Sequence, residues 1–150
     1  MIREGGQQDV RFLRDMLRHA YYWRSRETDT PITRYVNAWG RRGDRCLIAI
    51  DDFHPVGAAW YRLYSADEPG FGFVDPETPE LTIGVVPSRR GKGIGSGLLD
   101  ELLARARSDG FGRISLSVEK SNPAVHLYES RGFQTVHSDG DLVMVAQLAK

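Results

Sequence analysis

A strand-to-helix connection that contains four glycines constrains this chain most. Glu80 to Val86 has the length and apolar character of a buried strand, and Gly93 to Arg107 repeats apolar residues every three or four positions, as an amphipathic helix does. From residue 87 to residue 97 the sequence reads Pro-Ser-Arg-Arg-Gly-Lys-Gly-Ile-Gly-Ser-Gly. Glycines let a backbone approach a ligand closely, and the N–H groups at a helix start attract phosphate oxygens. The pattern predicts either a phosphate-binding loop or a tight turn that lets the helix pack on a sheet.

Two common nucleotide-binding motifs do not fit this connection. A P-loop ends in Gly-Lys-Ser/Thr, whereas Lys92 is followed by Gly93. A dinucleotide fingerprint that began at Gly91 or Gly93 would need glycine or alanine at positions that hold Ser96 and Leu98. The sequence therefore argues against an ATP or GTP cradle and against a Rossmann site.

The remaining periodicities predict an order of elements. Helical spacing occurs in three further segments, residues 9–23, 33–39 and 123–130. Five further segments are β-rich, residues 45–50, 56–64, 113–118, 133–137 and 142–148. The first two are joined by residues 51–55 and read as a hairpin, and residues 65–79, rich in proline, glycine and acids, indicate a surface loop. This order predicts an α/β (α+β) fold with a mixed sheet and helices on its faces, in one domain of residues 1–150.

Charge and cysteine content narrow the class of protein. Twenty basic and twenty acidic residues balance, so the net charge gives no reason to expect a nucleic acid or a membrane surface as partner. The single cysteine, Cys46, lies in an apolar stretch, where a buried thiol is more typical than a nucleophile. The chain begins without a basic and then apolar leader and has no apolar run of about 18 residues, so we expect a cytoplasmic protein.

Two motifs carry a resemblance to a known family. The segment Arg90 to Gly95 has the form Gln/Arg-x-x-Gly-x-Gly/Ala, and it resembles the loop of the GNAT N-acetyltransferase superfamily at the expected place between a strand and a helix. Downstream, Ser121 to Phe133 resembles that family's pattern of asparagine, alanine, tyrosine and Gly-Phe. The order of elements is similar as well, with Met1 to Glu4 as a weak first strand. The resemblance implies the GNAT fold, in which a mixed, mostly antiparallel central sheet is flanked by helices.

The resemblance implies a binding site for acetyl-CoA. In that family the loop amides hold the cofactor pyrophosphate, a role that falls here on Arg90, Gly91, Lys92, Gly93, Ile94 and Gly95, with Gly97 less clearly included. The strand before the loop splays from the next strand and holds the pantetheine arm by its backbone, which implies Ile83, Gly84, Val85 and Val86. Asn122 is either a pantetheine contact or an ordinary helix cap before Pro123.

Acetyl transfer from a thioester to an amine requires a neutral amine, a donor to the carbonyl oxygen and a proton for the departing thiolate. Tyr128 matches the family's usual acid, although without the motif a ring packed under its helix would be the simpler interpretation. Glu80 opens the strand expected to carry the acetyl group and is our predicted base, acting through an ordered water, with Glu119 as the rival. Either glutamate could be a solvated strand end, and His126 is a third candidate.

The acceptor site is the least motif-like part of the chain. The family builds it from the first two helices and from the loop between the third and fourth strands, which implies residues 21–39 and 65–79 here. Aromatic residues in these stretches, beside acidic ones, suit a cationic and partly apolar amine or are core aromatics next to a solvated loop. They are Tyr21, Tyr22, Trp23, Tyr35, Trp39, Phe71 and Phe73.

The predicted function is acetyl-CoA-dependent transfer of an acetyl group to a primary amine of a small molecule or peptide, by direct attack in a ternary complex. The alternatives are a noncatalytic acyl-CoA-binding regulatory module and, if both motifs are coincidences, an unrelated interaction domain. No metal is predicted, because no cysteine or histidine cluster has ligand spacing. Homodimers are common on this fold, and the strand Leu142 to Leu148 is a candidate for pairing across subunits.

Overall fold

The computed structural model describes residues 1–21 and 32–148. Within these ranges the chain forms seven strands and three α-helices, with short 3-10 turns at Gln7–Asp9, Ile32–Tyr35 and Pro87–Arg89. The strands are β1 (Ile2–Glu4), β2 (Arg45–Asp51), β3 (His54–Arg62), β4 (Glu80–Val85), β5 (Arg113–Val118), β6 (Gln134–His137) and β7 (Leu142–Gln147). The helices are α1 (Val10–Ala20), α2 (Ile94–Ser108) and α3 (Ala124–Ser130).

The strands form one sheet in the order β1-β2-β3-β4-β5-β7-β6. Every neighbouring pair is antiparallel except β4 and β5, which are parallel. The expectation of a mixed, mostly antiparallel sheet flanked by helices is therefore confirmed. The parallel pair meets at a single position, Glu80 opposite Ser115, where the Ser115 N–H donates to the Pro79 carbonyl oxygen at 2.9 Å. Beyond that point β4 and β5 pair no further, which leaves a gap in the middle of the sheet.

Helices cover both faces of the sheet. On one face α2 buries Leu98, Leu99 and Leu102 against apolar strand residues. On the other face α1 buries Leu13, Met16 and Leu17, each worth about 1.5–3 kcal/mol on transfer from water. Helix α1 crosses β4 so closely that a Cβ atom built on Gly84 would lie 2.5 Å from the Met16 carbonyl oxygen. Glycine at position 84 therefore allows α1 to pack on β4 where the gap begins.

Two details of the secondary structure differ from the sequence-based expectations. The helix expected over residues 33–39 is only the 3-10 turn Ile32–Tyr35. The hairpin connection is shorter than residues 51–55, because Asp51 pairs with His54 and only Asp52 and Phe53 form the turn. Both turn residues have positive φ angles, of 51° and 65°. Positive φ at both central residues is the conformation that twists a two-residue hairpin correctly, but it is one that sequence preference assigns to Asn-Gly.

The C-terminal strand is also placed differently from our expectation. Because β7 lies between β5 and β6, the prediction that it pairs across subunits is wrong, and the edge of the sheet on that side is β6. The end of the helix expected over residues 9–23 lies outside the described residues, since α1 ends at Ala20. In the described ranges, none of the helices combines the length and the apolar character that crossing a membrane requires.

Candidate active site

A cleft of about 630 Å³ opens where β4 and β5 diverge. Its wall combines the end of α1, the glycine-rich turn, the start of α2 and the first part of α3. Nine of the predicted site residues line it: Ile83, Gly84, Val85, Arg90, Gly91, Ile94, Gly95, Asn122 and Tyr128. Four others do not, namely Glu80, Val86, Lys92 and Gly93. The fold therefore brings both sequence motifs to one cavity, although they are about thirty residues apart in the chain.

Backbone hydrogen bonds decide which residues of β4 face the gap. The Val86 N–H donates to the Val56 carbonyl oxygen at 2.8 Å, and the antiparallel register with β3 runs without a bulge along β4. Since successive residues of a strand direct their N–H and C=O groups to opposite sides, Gly84 bonds to β3 as Val86 does, whereas Ile83 and Val85 direct theirs toward β5. Among the four β-strand positions that we predicted, only Ile83 and Val85 can therefore offer backbone hydrogen bonds to a molecule in the cleft.

The glycine-rich turn leads directly into α2. Gly91 and Gly93 have φ angles of 77° and 83°, in the left-handed region that favours glycine, and a Cβ on either would meet no atom within 4 Å. These two glycines are thus required by backbone conformation rather than by crowding. Gly93 is the N-cap of α2 and no side chain caps the helix, so the first amides of α2, at Ile94 and Gly95, lack an intrahelical acceptor.

The basic side chains around the turn differ in how available they are to bind an anion. Arg89 is paired with Asp51 through Nε and Oδ2 at 2.8 Å. Arg90 and Lys92 are exposed, and Arg90 reaches back so that its Nε donates to the Val85 carbonyl oxygen at 3.3 Å. Helix amides and exposed cations that have no carboxylate partner among the described residues, at one end of a cleft, suit a phosphate or pyrophosphate group. The fit with acetyl-CoA, whose pyrophosphate the family holds at this turn, is therefore good.

Tyr128 lines the opposite wall of the cleft from α3. It is half-buried, and its ring packs edge-on against Phe133 with centroids 5.8 Å apart. Burial raises the pKa of Tyr128 to about 12, so the phenol stays protonated at neutral pH. The ring therefore packs against the core, while the residue also borders the cleft.

Asn122 caps a helix and also borders the cleft. Its Oδ1 accepts a hydrogen bond from the Ala124 N–H at 2.9 Å, as a helix cap does. The residue lines the cleft at the same time. Because Oδ1 is used at the helix start, the amide nitrogen is the group that Asn122 can offer to a ligand.

Glu80 is not the solvated strand end that was one of our alternatives. Its side chain is fully buried, and the Tyr35 hydroxyl donates to Glu80 Oε2 at 2.5 Å. The Tyr21 hydroxyl lies 3.5 Å from the same oxygen, and Tyr21 lines the cleft. Burial, together with the nearby Glu80 charge, raises the pKa of Tyr21 and of Tyr35, so both phenols stay protonated.

The other candidate bases and nucleophiles differ in their access to the cleft. Glu119 lines it and accepts a hydrogen bond from the Ser121 hydroxyl at 3.2 Å. The His126 side chain is 90% exposed and lies beside Glu129, away from the residues that line the cleft. Cys46 is buried and outside the cleft, and burial raises the pKa of its thiol to about 12. The interpretation of Cys46 as a structural thiol is confirmed, and His126 is poorly placed for chemistry in the cleft.

Three polar residues of the cleft were missed by sequence reasoning. His19 lies in the last turn of α1, and Thr82 and Ser117 come from β4 and β5 on the side of the sheet that α1 covers. The Ser117 hydroxyl is buried and has no hydrogen-bond partner among residues 1–21 and 32–148. Alternation along β5 could have identified Ser117, because Ile114, Leu116 and Val118 face the opposite core. Nothing local in the sequence indicates that His19 lines this cleft.

An aromatic cluster packs beside Glu80 and the surface loop 65–79, whose Gly70 lies directly against the Glu80 carboxylate. Tyr35 packs against Tyr21, Phe71 and Tyr64 with ring centroids 4.9, 5.9 and 5.3 Å away. The Tyr35 hydroxyl also accepts a hydrogen bond from the Phe71 N–H at 2.7 Å. One phenol thus fixes both the buried carboxylate and the loop that was predicted to shape the acceptor site. Tyr22 and Trp23, also predicted for that site, lie outside the described residues.

Replacing Tyr35 by phenylalanine should reveal this dual attachment. Tyr35→Phe removes a donor to a buried carboxylate and the hydroxyl that accepts from the Phe71 N–H, so we expect the free energy of unfolding to fall by about 2–4 kcal/mol in a urea titration. Tyr64→Phe is the matched control, because the buried Tyr64 hydroxyl has no hydrogen-bond partner among the described residues and its removal should cost little. An equal loss in both variants would contradict the assigned hydrogen bonds.

Comparisons with known proteins agree with this geometry. Mycothiol acetyltransferases from Propionibacterium freudenreichii subsp. shermanii and Thermobispora bispora are 39% and 38% identical to the chain over 95 and 79 residues. These matches cover 62% and 52% of this chain but only 28% and 26% of the relatives, so the chain spans about a quarter of their length.

Solved structures match over almost the whole chain. Ribosomal-protein-alanine N-acetyltransferase from Brucella melitensis has a TM-score of 0.73 and 26% identity, with 98% of this chain and 99% of that one covered. A GNAT superfamily phosphinothricin acetyltransferase from Sinorhizobium meliloti, in complex with acetyl-CoA, has a TM-score of 0.72 and 20% identity, with 99% and 88% covered. The second likeness shows the fold alone.

Residues 10–133, which include both motifs and the cleft between them, match the profile of the Acetyltransferase (GNAT) family. Among the described residues, no three His, Cys, Asp or Glu side chains are grouped so that they could hold a metal ion. The chain belongs to the GNAT acetyltransferase family.

Proposed function

We propose that this chain is an N-acetyltransferase that transfers the acetyl group of acetyl-CoA to a primary amine of a small molecule or peptide. The observation that carries the proposal is the convergence on one cleft of unpaired β4 backbone, uncapped α2 amides and the protonated phenol of Tyr128. Acetyl-CoA, when bound, supplies a thioester whose carbonyl carbon an amine can attack. The chain's own residues bind, orient and move protons around that reaction.

The first amides of α2 and the turn residues from Arg90 to Gly95 bind the pyrophosphate in this proposal. Two exposed cations, Arg90 and Lys92, add charge attraction that weakens as salt rises. Ile83 and Val85 donate and accept backbone hydrogen bonds along the gap, and an amide there is positioned to stabilise negative charge on the acetyl oxygen. Gly84 contributes space rather than hydrogen bonds, because its backbone groups bond to β3.

Tyr128 acts as the general acid in this scheme. A phenol with a pKa of about 12 holds its proton throughout the physiological range and can deliver it to the sulfur as the thiolate departs. The edge-on contact with Phe133 holds the ring in one orientation. This fixes the donor without using its hydroxyl for packing.

Glu80 acts as the base through Tyr21 rather than through water alone. As the amine nitrogen forms its bond to the acetyl carbon, its proton passes to the Tyr21 oxygen while the Tyr21 proton passes to Glu80 Oε2, 3.5 Å away. Because burial keeps the phenol neutral at rest, the transfer of both protons must be concerted. Glu119, on the cleft wall, is the competing base.

Replacing each glutamate by the isosteric glutamine distinguishes the two candidate bases. Glu80→Gln keeps an oxygen for the Tyr35 hydroxyl but cannot accept a proton, so we expect kcat/KM to fall about ten- to a hundredfold near neutral pH. The deficit should persist as pH rises through the pKa of the amine, because both proteins gain equally from the larger neutral fraction, whereas Glu80 accepts the proton that the neutral amine loses during its attack. Glu119→Gln is the matched control and should change kcat/KM little. The opposite order of the two effects would assign the base to Glu119.

The acceptor belongs to one of two classes of primary amine, that of a small molecule or that of a peptide amino terminus. The name of the mycothiol acetyltransferases supports a small molecule, whereas the name of the Brucella neighbour supports a peptide amino terminus. Tyr21 lines the cleft, and its ring packs against Phe71 with centroids 5.4 Å apart; an aromatic ring in the cleft wall suits an amine carried on an apolar or sugar-like body. Acetylation of an amine panel from both classes, followed by CoA release and by mass spectrometry of the product, tests the proposal. Saturable binding of acetyl-CoA without acetylation of any amine would favour the noncatalytic binding module instead.

A further inference from the structure

A second cavity of about 290 Å³ lies where β3 ends and the loop 65–79 begins. None of the described residues lines both this cavity and the cleft. Its wall includes three arginines, two hydroxyl side chains and one carboxylate: Arg34, Arg41, Arg42, Tyr64, Ser65 and Glu68. A cavity of this composition, separate from the cleft, requires its own explanation.

Among the described residues, the three arginines have no ion-pair partner, although acidic and basic residues are equal in number in the chain. Arg34 Nη1 donates to the Pro69 carbonyl oxygen at 2.9 Å. Eight other arginines lie within 4.0 Å of a carboxylate: Arg3, Arg18, Arg45, Arg62, Arg89, Arg105, Arg113 and Arg131. In the described part of the chain, no carboxylate lies that close to the guanidinium groups of Arg34, Arg41 or Arg42. Like charges that converge on one cavity repel each other, and an anion between them removes that repulsion.

A buried ion pair fixes the backbone that carries two of these arginines. Arg62 and Asp44 are almost fully buried and lie 2.7 Å apart. Arg62 Nη1 donates to the Arg34 carbonyl oxygen at 2.9 Å, and Asp44 Oδ2 accepts from the Arg41 N–H at 2.9 Å. A buried ion pair gives little stability compared with apolar packing, so positioning explains this one better. Fixed backbone positions reduce the entropy lost when a ligand binds.

The charge balance of the cavity selects the ligand class. Three guanidinium groups against the single carboxylate of Glu68 leave a surplus of two positive charges. A phosphate monoester carries about −1.5 to −2 at neutral pH, and the guanidinium fork matches its oxygens. Ser65 adds a hydroxyl to the wall of the cavity. We propose that this cavity binds a phosphate group, either inorganic phosphate or the phosphate monoester of a small molecule.

A titration with inorganic phosphate, followed by amide chemical shifts in NMR, tests this proposal. We expect saturable shifts at residues 34, 41–42 and 63–68 that persist when acetyl-CoA is saturating. Arg41→Gln with Arg42→Gln should weaken phosphate binding at least about tenfold, since each lost charged hydrogen bond is worth a factor of this order. Arg11→Gln with Arg14→Gln, two exposed arginines of α1, removes the same charge elsewhere and should leave the affinity unchanged. Glu68→Gln should strengthen binding.

Several results would overturn the phosphate site. Shifts confined to residues 90–95 that vanish with acetyl-CoA would mean that phosphate binds only at the glycine-rich turn. Equal weakening of phosphate binding in both double variants would mean that net charge alone, and not this cavity, determines the affinity. Acetate binding as tight as phosphate binding would contradict the ligand class. Gly95→Val should retain phosphate binding at this cavity even if it loses acetyl-CoA, so failure of the proposed function and failure of this site are distinguishable.

Discussion

Gly95→Val is expected to weaken acetyl-CoA binding by about a hundredfold or more while the protein remains folded. Gly95 lies in the first turn of α2 and lines the cleft, so a side chain there occupies the space through which phosphate oxygens would reach the helix amides. Losing even two charged hydrogen bonds at that point is enough for this factor. Calorimetric titration with acetyl-CoA measures the effect directly.

The fold should tolerate this change. A Cβ on Gly95 would approach only Val85 Cγ2, at 3.9 Å, and valine is no worse a helix former than glycine. Gly97→Ala is the matched control, because position 97 lies in the same helix turn region but faces Ile2 at 3.6 Å and does not line the cleft. Gly93→Val would be a poor test, since its φ of 83° would strain any β-branched residue. Unchanged affinity in Gly95→Val would contradict the assignment of the turn to pyrophosphate.

Tyr128→Phe is expected to lower kcat by about a hundredfold or more without changing the Kd for acetyl-CoA. The substitution removes only the hydroxyl and keeps the ring against Phe133, so the cofactor side of the cleft should be unaffected. Because the pKa of the phenol is about 12, it remains protonated below that value, and kcat of the native protein should not decline up to about pH 10 through titration of Tyr128.

A second tyrosine provides the control for that variant. The Tyr61 hydroxyl donates to Asp109, and Tyr61 does not line the cleft. Tyr61→Phe should therefore reduce the free energy of unfolding while kcat stays the same. If Tyr128→Phe kept full activity, Tyr128 would be a packing residue and another group, or water, would protonate the thiolate.

Local patterns predicted the part of the site that is local in sequence. The turn from Arg90 to Gly95 and the helix after it are visible in the sequence because left-handed glycines and an apolar repeat are properties of adjacent residues. The same holds for Tyr128 and Asn122, which one short segment brings together. Strand alternation even restricts the useful backbone groups of β4 to Ile83 and Val85, once the direction of one hydrogen bond is known.

The environment of Glu80 could not be predicted in this way. Its burial depends on Tyr35 and Tyr21, which are 45 and 59 residues away in the chain. Nor does any local signal indicate that β7 inserts between β5 and β6, because strand order depends on pairing between distant segments. Aromatic residues in residues 21–39 were assigned to the acceptor site from the family pattern, and Tyr35 serves instead as a buried support for Glu80 and the loop.

Calorimetric titration of the purified protein with acetyl-CoA, beside free CoA and ATP, tests the central claim most directly. The cleft should bind acetyl-CoA and CoA at one saturable site, because both carry the pyrophosphate and the pantetheine arm that the turn and β4 are proposed to hold. ATP should not compete, since it lacks that arm. Absence of saturable acetyl-CoA binding would contradict the account and would leave the glycine-rich turn as a structural connection between β4 and α2.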